Sequence, residues 1–450
     1  MHRAARKMSI GHAILWFGAA YGVAIAGYLG LNAAAGRMLG PDSFGAFVAV
    51  LTFTAVAGQI GLLGVHRAGL REAARLQQED VDQLAELRRG VRAVALVSLP
   101  IAALFAGVVT WFLARDWAHT QRTVLAVSAA ALVVLSGLQK LWANFLRGFG
   151  QVRFASMLEG RSGGALVALS QAVLVGLVWW LFPSWGLPGA LAAVVVGYAI
   201  PVGLASRAVS RYWDHTPAGS RTFRDLREIS AKHWKFASVQ VAALLNSSVE
   251  IWIAGLVLVP TATSMFGAAQ RLSMLVVLPM TAMQVVFSPL VSRLAVADDR
   301  AGLERLLRTG ATIATAVTAV VALPLLVAPG PILRLVFGPG FGDAIVPLLL
   351  LTAAFLVNAS TGLAGLTLSM AHREGVAATV QWTALAPRVV VGTVVASAFG
   401  LNALAVSAAL MSTLMFVSMW YRARAVVGVN TAVTTHVDLS LVRLPAGGSG

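Results

Sequence analysis

Three ionisable residues of this chain lie deep within long apolar segments, where a charge is energetically costly. Arg388 falls near the middle of one segment, directly after Pro387, and Glu250 and Arg271 fall in two consecutive segments. On insertion scales such a charge costs at least about 2.5 kcal/mol, so each residue is a candidate for function. Because its guanidinium cannot be deprotonated, Arg388 requires a partner or a water-filled cavity. We predict that it binds an anionic group such as a phosphate; the alternative is a structural contact with a neighbouring helix.

Glu250 admits two interpretations. Asn246 lies one helical turn before it, so the carboxylate and the amide share a helix face and could bind a coupling H+ or Na+. In the second interpretation, Glu250 is the fixed counter-ion of Arg271 on the adjacent segment. The sequence leaves both open.

Further polar residues are candidates for contact with a cargo. Two arginines flank a short turn, and their guanidinium groups suit phosphate oxygens, although contact with anionic lipids is the more common role. Three amides lie within apolar segments, where they either bind sugar hydroxyls or link helices. The predicted substrate-binding set is Arg388, Arg271, Arg153, Arg147, Gln381, Asn358 and Gln284, with Glu250 and Asn246 as the coupling-ion residues.

The sequence contains no recognisable catalytic constellation. It has no cysteine, its eight histidines form no HExxH pattern, and it has no nucleotide-binding Walker motif. We therefore predict a transporter and not an enzyme, with no cofactor and no metal.

The composition is that of an integral membrane protein. Hydrophobic residues make up 58% of the 450 positions and charged residues only 12%, against roughly 25% charged residues in soluble domains. The net charge of +16 would suggest nucleic acid in a soluble protein. Here nearly all of the 34 Lys and Arg residues fall on one side of the membrane if the N-terminus is cytoplasmic, as the positive-inside rule requires. We predict a plasma (inner) membrane location, both termini cytoplasmic and no nucleic-acid partner.

Twelve segments have the roughly 20 apolar residues that a bilayer crossing needs. They are residues 12–35, 44–65, 93–113, 123–145, 154–181, 188–205, 236–259, 266–290, 309–328, 345–370, 376–399 and 401–421. The predicted fold is all-α, with about twelve transmembrane helices in two pseudo-symmetric six-helix lobes. The predicted domains are an N-lobe (1–205), a cytoplasmic linker (206–235), a C-lobe (236–425) and a mobile cytoplasmic tail (426–450).

Short repeats relate the two predicted lobes. The triplet Phe44-Gly45-Ala46 recurs as Phe266-Gly267-Ala268, and each copy begins an apolar segment. Six crossings per lobe in the same orientation indicate parallel repeats, whose axis runs along the membrane normal. A cavity between two such lobes is the geometry of alternating access.

Four motifs, in order, resemble those of a known family. They are RxLGPxxFG at residues 37–45, LRGFGQ at 146–151, FGAAQRL at 266–272 and VFGPGFGDAIVPLLLL at 336–351. Over residues 10–425 the chain is similar to bacterial polysaccharide (O-antigen type) flippases of the multidrug, oligosaccharidyl-lipid and polysaccharide exporter superfamily. The resemblance implies a twelve-helix, two-lobed fold. It also implies translocation of a polyprenyl-diphosphate-linked oligosaccharide, with membrane lipid and other polysaccharide-assembly proteins as partners.

Two other functions are alternatives to this one. A cation-coupled multidrug antiporter of the same superfamily would share the fold but prefers an acidic cavity, whereas the buried charges here are two arginines to one glutamate. A membrane glycan polymerase or ligase would need a sizeable external loop, and the predicted external turns are short.

Overall fold

The structure of the chain is a computed structural model that describes residues 10–66, 81–158, 164–212, 237–296, 299–371 and 373–435. Most of the predicted 206–235 linker, and the end of the predicted tail, lie outside the described residues. Within the described ranges, every regular element is a helix.

The helices are numbered here in chain order. The first seven are α1 (Ile10–Gly61), α2 (Val81–Ala93), α3 (Leu99–Leu113), α4 (His119–Gly148), α5 (Val152–Leu158), α6 (Gly164–Leu181) and α7 (Gly186–Ser210). The others are α8 (Ala237–Asn246), α9 (Val249–Val257), α10 (Pro260–Ser273), α11 (Leu278–Val296), α12 (Arg300–Val327), α13 (Pro329–Phe337), α14 (Ile345–Thr361), α15 (Ala364–Met370) and α16 (Glu374–Val427).

Twelve bilayer crossings can be assigned to these helices. Nine helices of the described part are long and apolar enough to cross, and the bent pair α8 and α9 forms one more. Helix α1 has 52 residues and α16 has 54, about 80 Å each, whereas the hydrocarbon core is about 30 Å thick. Each contains a non-helical glycine, Gly40 (φ 60°) or Gly400 (φ 76°), and so comprises two crossings. The prediction of about twelve crossings is confirmed, and the cytoplasmic placement of the termini stays a prediction.

The chain divides into two compact units. The first comprises Met1–Gly40 and Val50–Ala237, and the second comprises Pro41–Ala49 and Ser238–Gly450. The short segment Pro41–Ala49 therefore packs with the C-terminal half of the chain. The predicted four-part domain division stays a prediction.

In the first unit, α3, α4, α6 and α7 pack around a common apolar core. Leu99, Leu141 and Phe145 are fully buried in it. Gly27 permits a close approach of α1 to α6, since a Cβ at this position would lie 2.7 Å from the carbonyl carbon of Ala168. Small residues at such crossings let helix backbones approach closely, which is how apolar helices gain packing energy inside a membrane.

In the second unit, two of the four sequence motifs contact each other through aromatic rings. Phe44 is fully buried, and its ring centroid lies 5.1 Å from that of Phe337 and 5.9 Å from that of Phe341. Tilted and edge-on pairs at these distances are the favourable arrangements of aromatic rings. The motifs at 37–45 and 336–351 thus build one packed cluster.

The repeated Phe-Gly-Ala triplets also face each other in this unit. A Cβ on Gly45 would lie 2.6 Å from the backbone nitrogen of Ser264, and the amide of Gly45 donates a hydrogen bond to Ser264 Oγ at 2.7 Å. Gly267 in turn faces the side chain of Val48, which a Cβ would meet at 3.4 Å. The two related segments therefore pack against each other, with Gly45 at Ser264 and Gly267 at Val48.

The prediction of a mobile tail from residue 426 onward is wrong for residues 428–435, which we call the C-terminal strap. Thr431 is fully buried, and its hydroxyl donates to the carbonyl of Thr361 at 2.7 Å. The amide of Thr434 donates to Thr312 Oγ1 at 2.9 Å. Carbonyls in the last turn of a helix have no intrahelical donor, and the strap supplies one at the end of α14.

Gly362 is the residue that lets the strap pass, so Gly362→Ala is expected to detach it. The residue has φ +77°, and a Cβ would lie 1.9 Å from the carbonyl oxygen of Thr431. The left-handed conformation alone costs a non-glycine residue about 1–2 kcal/mol. We expect faster amide hydrogen exchange in residues 428–435, with little change in α3 and α4. Unchanged exchange in the strap would contradict this packing.

Candidate functional site

The candidate site is built around a break in a membrane crossing of the second unit. Helices α8 and α9 meet at an angle of 46°, and the turn between them is formed by Ser247 and Ser248. At such a break, the last carbonyls of α8 and the first N–H groups of α9 lack intrahelical partners. The end of α8 therefore carries a partial negative charge and the start of α9 a partial positive charge.

Glu250 and Arg388 form a buried ion pair at this break. Their side chains are 6% and 2% exposed, and Arg388 Nε lies 2.6 Å from Glu250 Oε1. Glu250 occupies the first turn of α9, where the helix dipole favours a negative group. The pair is thus stabilised both by its own charges and by the ends of the broken helix.

The other guanidinium nitrogens of Arg388 are also bound. Nη1 donates to the carbonyl oxygen of Asn246 at 2.6 Å and lies 3.2 Å from its side-chain Oδ1. Nη2 donates to Ser412 Oγ and, at 3.4 Å, to the carbonyl of Ala408. Arg388 therefore binds the negative end of α8 directly, and it joins α8, α9 and both halves of α16.

Local sequence explains how these helices meet. Gly392, one turn after Arg388, faces α9, and a Cβ there would lie 3.2 Å from the terminal methyl of Ile253. Ile253 follows Glu250 by three residues and so lies on the same helix face. The small residue on α16 and the aliphatic residue on α9 bring the carboxylate to the guanidinium.

Three residues with amide side chains complete the surroundings of the pair. The Nδ2 of Asn246 donates to the backbone carbonyls of Gln381 at 2.8 Å and of Ala242 at 2.9 Å. The side-chain Oε1 of Gln381 is buried and accepts no hydrogen bond from the described residues. Gln270 Nε2 donates to the carbonyl of Ser247 at 3.0 Å. The broken helix is therefore held by side chains from α10 and α16.

The structure brings together four of the nine predicted site residues: Arg388, Glu250, Asn246 and Gln381. The carboxylate of Glu250 is paired with Arg388, whereas the second of the two interpretations of Glu250 paired it with Arg271.

The other predicted residues lie elsewhere. Arg271 is half-buried on α10, Asn358 is half-buried on α14, and Gln284 is exposed on α11. Arg147, half-buried, and Arg153, exposed, lie on α4 and α5 of the first unit.

Sequence reasoning missed the contributions of Ser412 and Ala408. It also missed the break itself. A signal was present, since Asn246, Ser247 and Ser248 are three consecutive polar residues within an apolar segment.

Comparison with solved structures defines the class of the fold. An inward-facing multidrug resistance MATE family transporter of the MOP superfamily matches with a TM-score of 0.64 and 16% identity, over 96% of this chain and all of that one. The MATE multidrug transporter DinF-BH, in complex with R6G, matches with a TM-score of 0.60 and 16% identity, over 94% and 99% of the two chains. A MOP superfamily transporter from Pyrococcus furiosus, described as having a binding pocket of reversed polarity, matches with a TM-score of 0.54 and 16% identity, over 93% and 96%. The fold is that of a MOP superfamily transporter.

Comparison with family models then identifies the family. Residues 35–346 match the model described as "Polysaccharide biosynthesis protein", so the chain belongs to that family. No curated protein sequence matches the chain.

Proposed function

We propose that this protein translocates a polyprenyl-diphosphate-linked oligosaccharide across the plasma membrane by alternating access, for synthesis of a surface polysaccharide. The observation that carries this proposal is the match of residues 35–346 to the polysaccharide biosynthesis family. The fold of a MOP superfamily transporter supports movement of a cargo. Membrane lipid and other membrane proteins of polysaccharide assembly are the partners that such a role implies.

The distribution of charge favours an anionic cargo over a cationic drug. Glu250 is the carboxylate that lies in the apolar interior of a described crossing, and the other acidic residues of those crossings lie near helix ends or beside Gly40. That single carboxylate is already bound to Arg388. A pocket for cationic drugs would need a carboxylate free to bind them, whereas a diphosphate needs guanidinium groups such as those of Arg271, Arg147 and Arg153.

We further propose that the ion pair is the coupling element. Glu250 Oε1 and both oxygens of Asn246 converge on Arg388, and Gln381 has a buried oxygen without a donor among the described residues. Na+ would take such oxygens as ligands, and H+ would neutralise the carboxylate. Either ion competes with the guanidinium for the same atoms, so its binding releases Arg388 to a negatively charged cargo.

The choice of cargo is testable by binding. Purified protein in nanodiscs is titrated with a fluorescent polyprenyl-diphosphate oligosaccharide, and separately with the cationic dye R6G. The proposal predicts saturable binding of the oligosaccharide lipid and no competition by the dye. Tight dye binding that an excess of the oligosaccharide lipid does not displace would support the multidrug alternative instead.

Glu250→Gln is expected to remove the dependence of transport on an ion gradient. The amide keeps a hydrogen-bond acceptor but cannot carry H+ or attract Na+ as a carboxylate does. Because no carboxylate would remain for the ion to neutralise, flipping in the presence of a gradient should fall to the rate without one. The measurement is flipping in proteoliposomes with imposed pH or Na+ gradients. The control Asp343→Asn changes an exposed carboxylate and should keep the stimulation; an equal loss in both variants would contradict the assignment.

A further inference from the structure

Helix α16 folds back at Gly400, and its two limbs enclose a groove in the second unit. The groove has a volume of about 540 Å³ and is lined by Val376, Thr379, Val380, Thr383, Ala384, Pro387, Met411, Leu414, Met415, Ser418 and Arg422. From Met411 to Arg422 the limb rises about 16 Å at 1.5 Å per residue. That length is close to half of a hydrocarbon core of about 30 Å, so the groove runs from one membrane interface towards the midplane.

The walls of the groove offer few polar groups. Six of its lining residues are aliphatic or methionine, besides Pro387. The hydroxyl of Thr379 donates to the carbonyl of Gly375, and that of Thr383 donates to the carbonyl of Thr379. Because these donors are already used within the helix, the walls suit a hydrocarbon chain and not a sugar.

The mouth of the groove is cationic. Arg422 lines it and is exposed, and Arg373 and Arg424 lie exposed near the ends of the same two limbs, with Glu374 as the nearby acidic residue in the sequence. An apolar groove with a guanidinium at one end is complementary to an amphiphile that has one phosphate head and a long hydrocarbon chain.

The inner end of the groove adjoins the buried ion pair. Pro387, at that end, directly precedes Arg388, and Met411 directly precedes Ser412, which accepts a hydrogen bond from Arg388. A chain that fills the groove therefore presses on the two backbone segments that hold the guanidinium. This geometry links occupation of the groove to the site proposed above for coupling.

We propose that this groove binds the first isoprene units of a polyprenyl phosphate carrier, with the phosphate at Arg422. The choice of this lipid over an ordinary phospholipid rests on the proposed function. The groove would bind the tail of the cargo lipid while the head of that lipid reaches the transport pathway.

The test uses the full-length protein in nanodiscs and a photoreactive polyprenyl phosphate that carries no sugar. Wild-type protein should be labelled within residues 376–387 or 411–422. Ala384→Trp fills the groove and should lower labelling at least tenfold, whereas Ala398→Trp, at an exposed position of α16 outside the groove, should not. Arg422→Gln should weaken binding about tenfold, and the control Arg334→Gln, at an exposed arginine of α13 outside the groove, should leave it within twofold.

A competition experiment distinguishes a polyprenyl phosphate from an ordinary phospholipid as the occupant of the groove. Unlabelled polyprenyl phosphate should suppress labelling, and an equal amount of phosphatidylglycerol or of neutral polyprenol should not. Equal suppression by phosphatidylglycerol, or equal labelling of wild type and Ala384→Trp, would overturn the proposal. Oligosaccharide-lipid flipping that is normal in Ala384→Trp would refute the groove and leave the proposed function intact. Specific labelling of a protein that does not flip the oligosaccharide lipid would support the groove and refute the proposed function.

Discussion

Replacing Arg388 with alanine is expected to destabilise the protein strongly and to abolish transport. Without the guanidinium of Arg388, Glu250 would remain buried in the break between α8 and α9 with no counter-ion. Removing one partner of a buried ion pair typically costs about 3–5 kcal/mol. The thermal midpoint of the purified protein in detergent should fall accordingly, and flipping in proteoliposomes should drop to the level of empty vesicles.

A double variant separates the structural role of the pair from its role in transport. Arg388→Met combined with Glu250→Leu replaces both charges by apolar groups, an exchange that is often neutral or stabilising in other proteins. We expect the thermal midpoint to return close to the wild-type value while transport stays absent. If the double variant flips the cargo at the wild-type rate, the pair only stabilises the fold, and the coupling proposal is wrong.

Gly45→Ala is expected to give the second large effect. The added Cβ would lie 2.6 Å from the backbone nitrogen of Ser264 and 2.7 Å from the carbonyl carbon of Thr263, so the two helices must move apart. Overpacking of this kind costs about 1–3 kcal/mol, and the hydrogen bond from Gly45 to Ser264 Oγ would be strained as well. Thermal unfolding in detergent measures the loss.

Two other glycines supply matched controls for Gly45. Gly22 lies on an exposed face of α1 with nothing within 4 Å of a built Cβ, so Gly22→Ala should be neutral or stabilising by up to about 1 kcal/mol. Gly267 is the middle residue of the second copy of the triplet but faces only side chains, at 3.4 Å, and Gly267→Ala should cost less than Gly45→Ala. Equal losses at Gly45 and Gly267 would show that the crossing is not as tight at Gly45 as these distances indicate.

The sequence predicts the helical architecture well because the relevant signal is local. A crossing is defined by the length of an apolar run, and Gly40 and Gly400 mark turns where two runs meet without an intervening loop. The break in the seventh crossing was missed, because periodicity carries little information in a segment that is apolar on all sides. Only the polar run from Asn246 to Ser248 marked it.

The partner of Glu250 depends on tertiary structure and could not be deduced. Arg271 lies on the next segment and was the nearer candidate along the chain, whereas Arg388 comes from α16, 142 residues beyond Asn246. The approach of α16 depends on Gly392, whose role is visible only once α9 packs against it. The order in residues 428–435 was missed for a related reason. Those residues have no apolar pattern, and they are held by carbonyls at the end of α14.

Flipping of a fluorescent polyprenyl-diphosphate oligosaccharide in proteoliposomes tests the central claim most directly. The rate is measured with no gradient, with a pH gradient and with a Na+ gradient, for the wild type and for the double variant of Arg388 and Glu250. The account predicts flipping by the wild type that one gradient accelerates, and none by the folded double variant. A wild type that leaves this lipid in place while it transports R6G along an ion gradient would contradict the account.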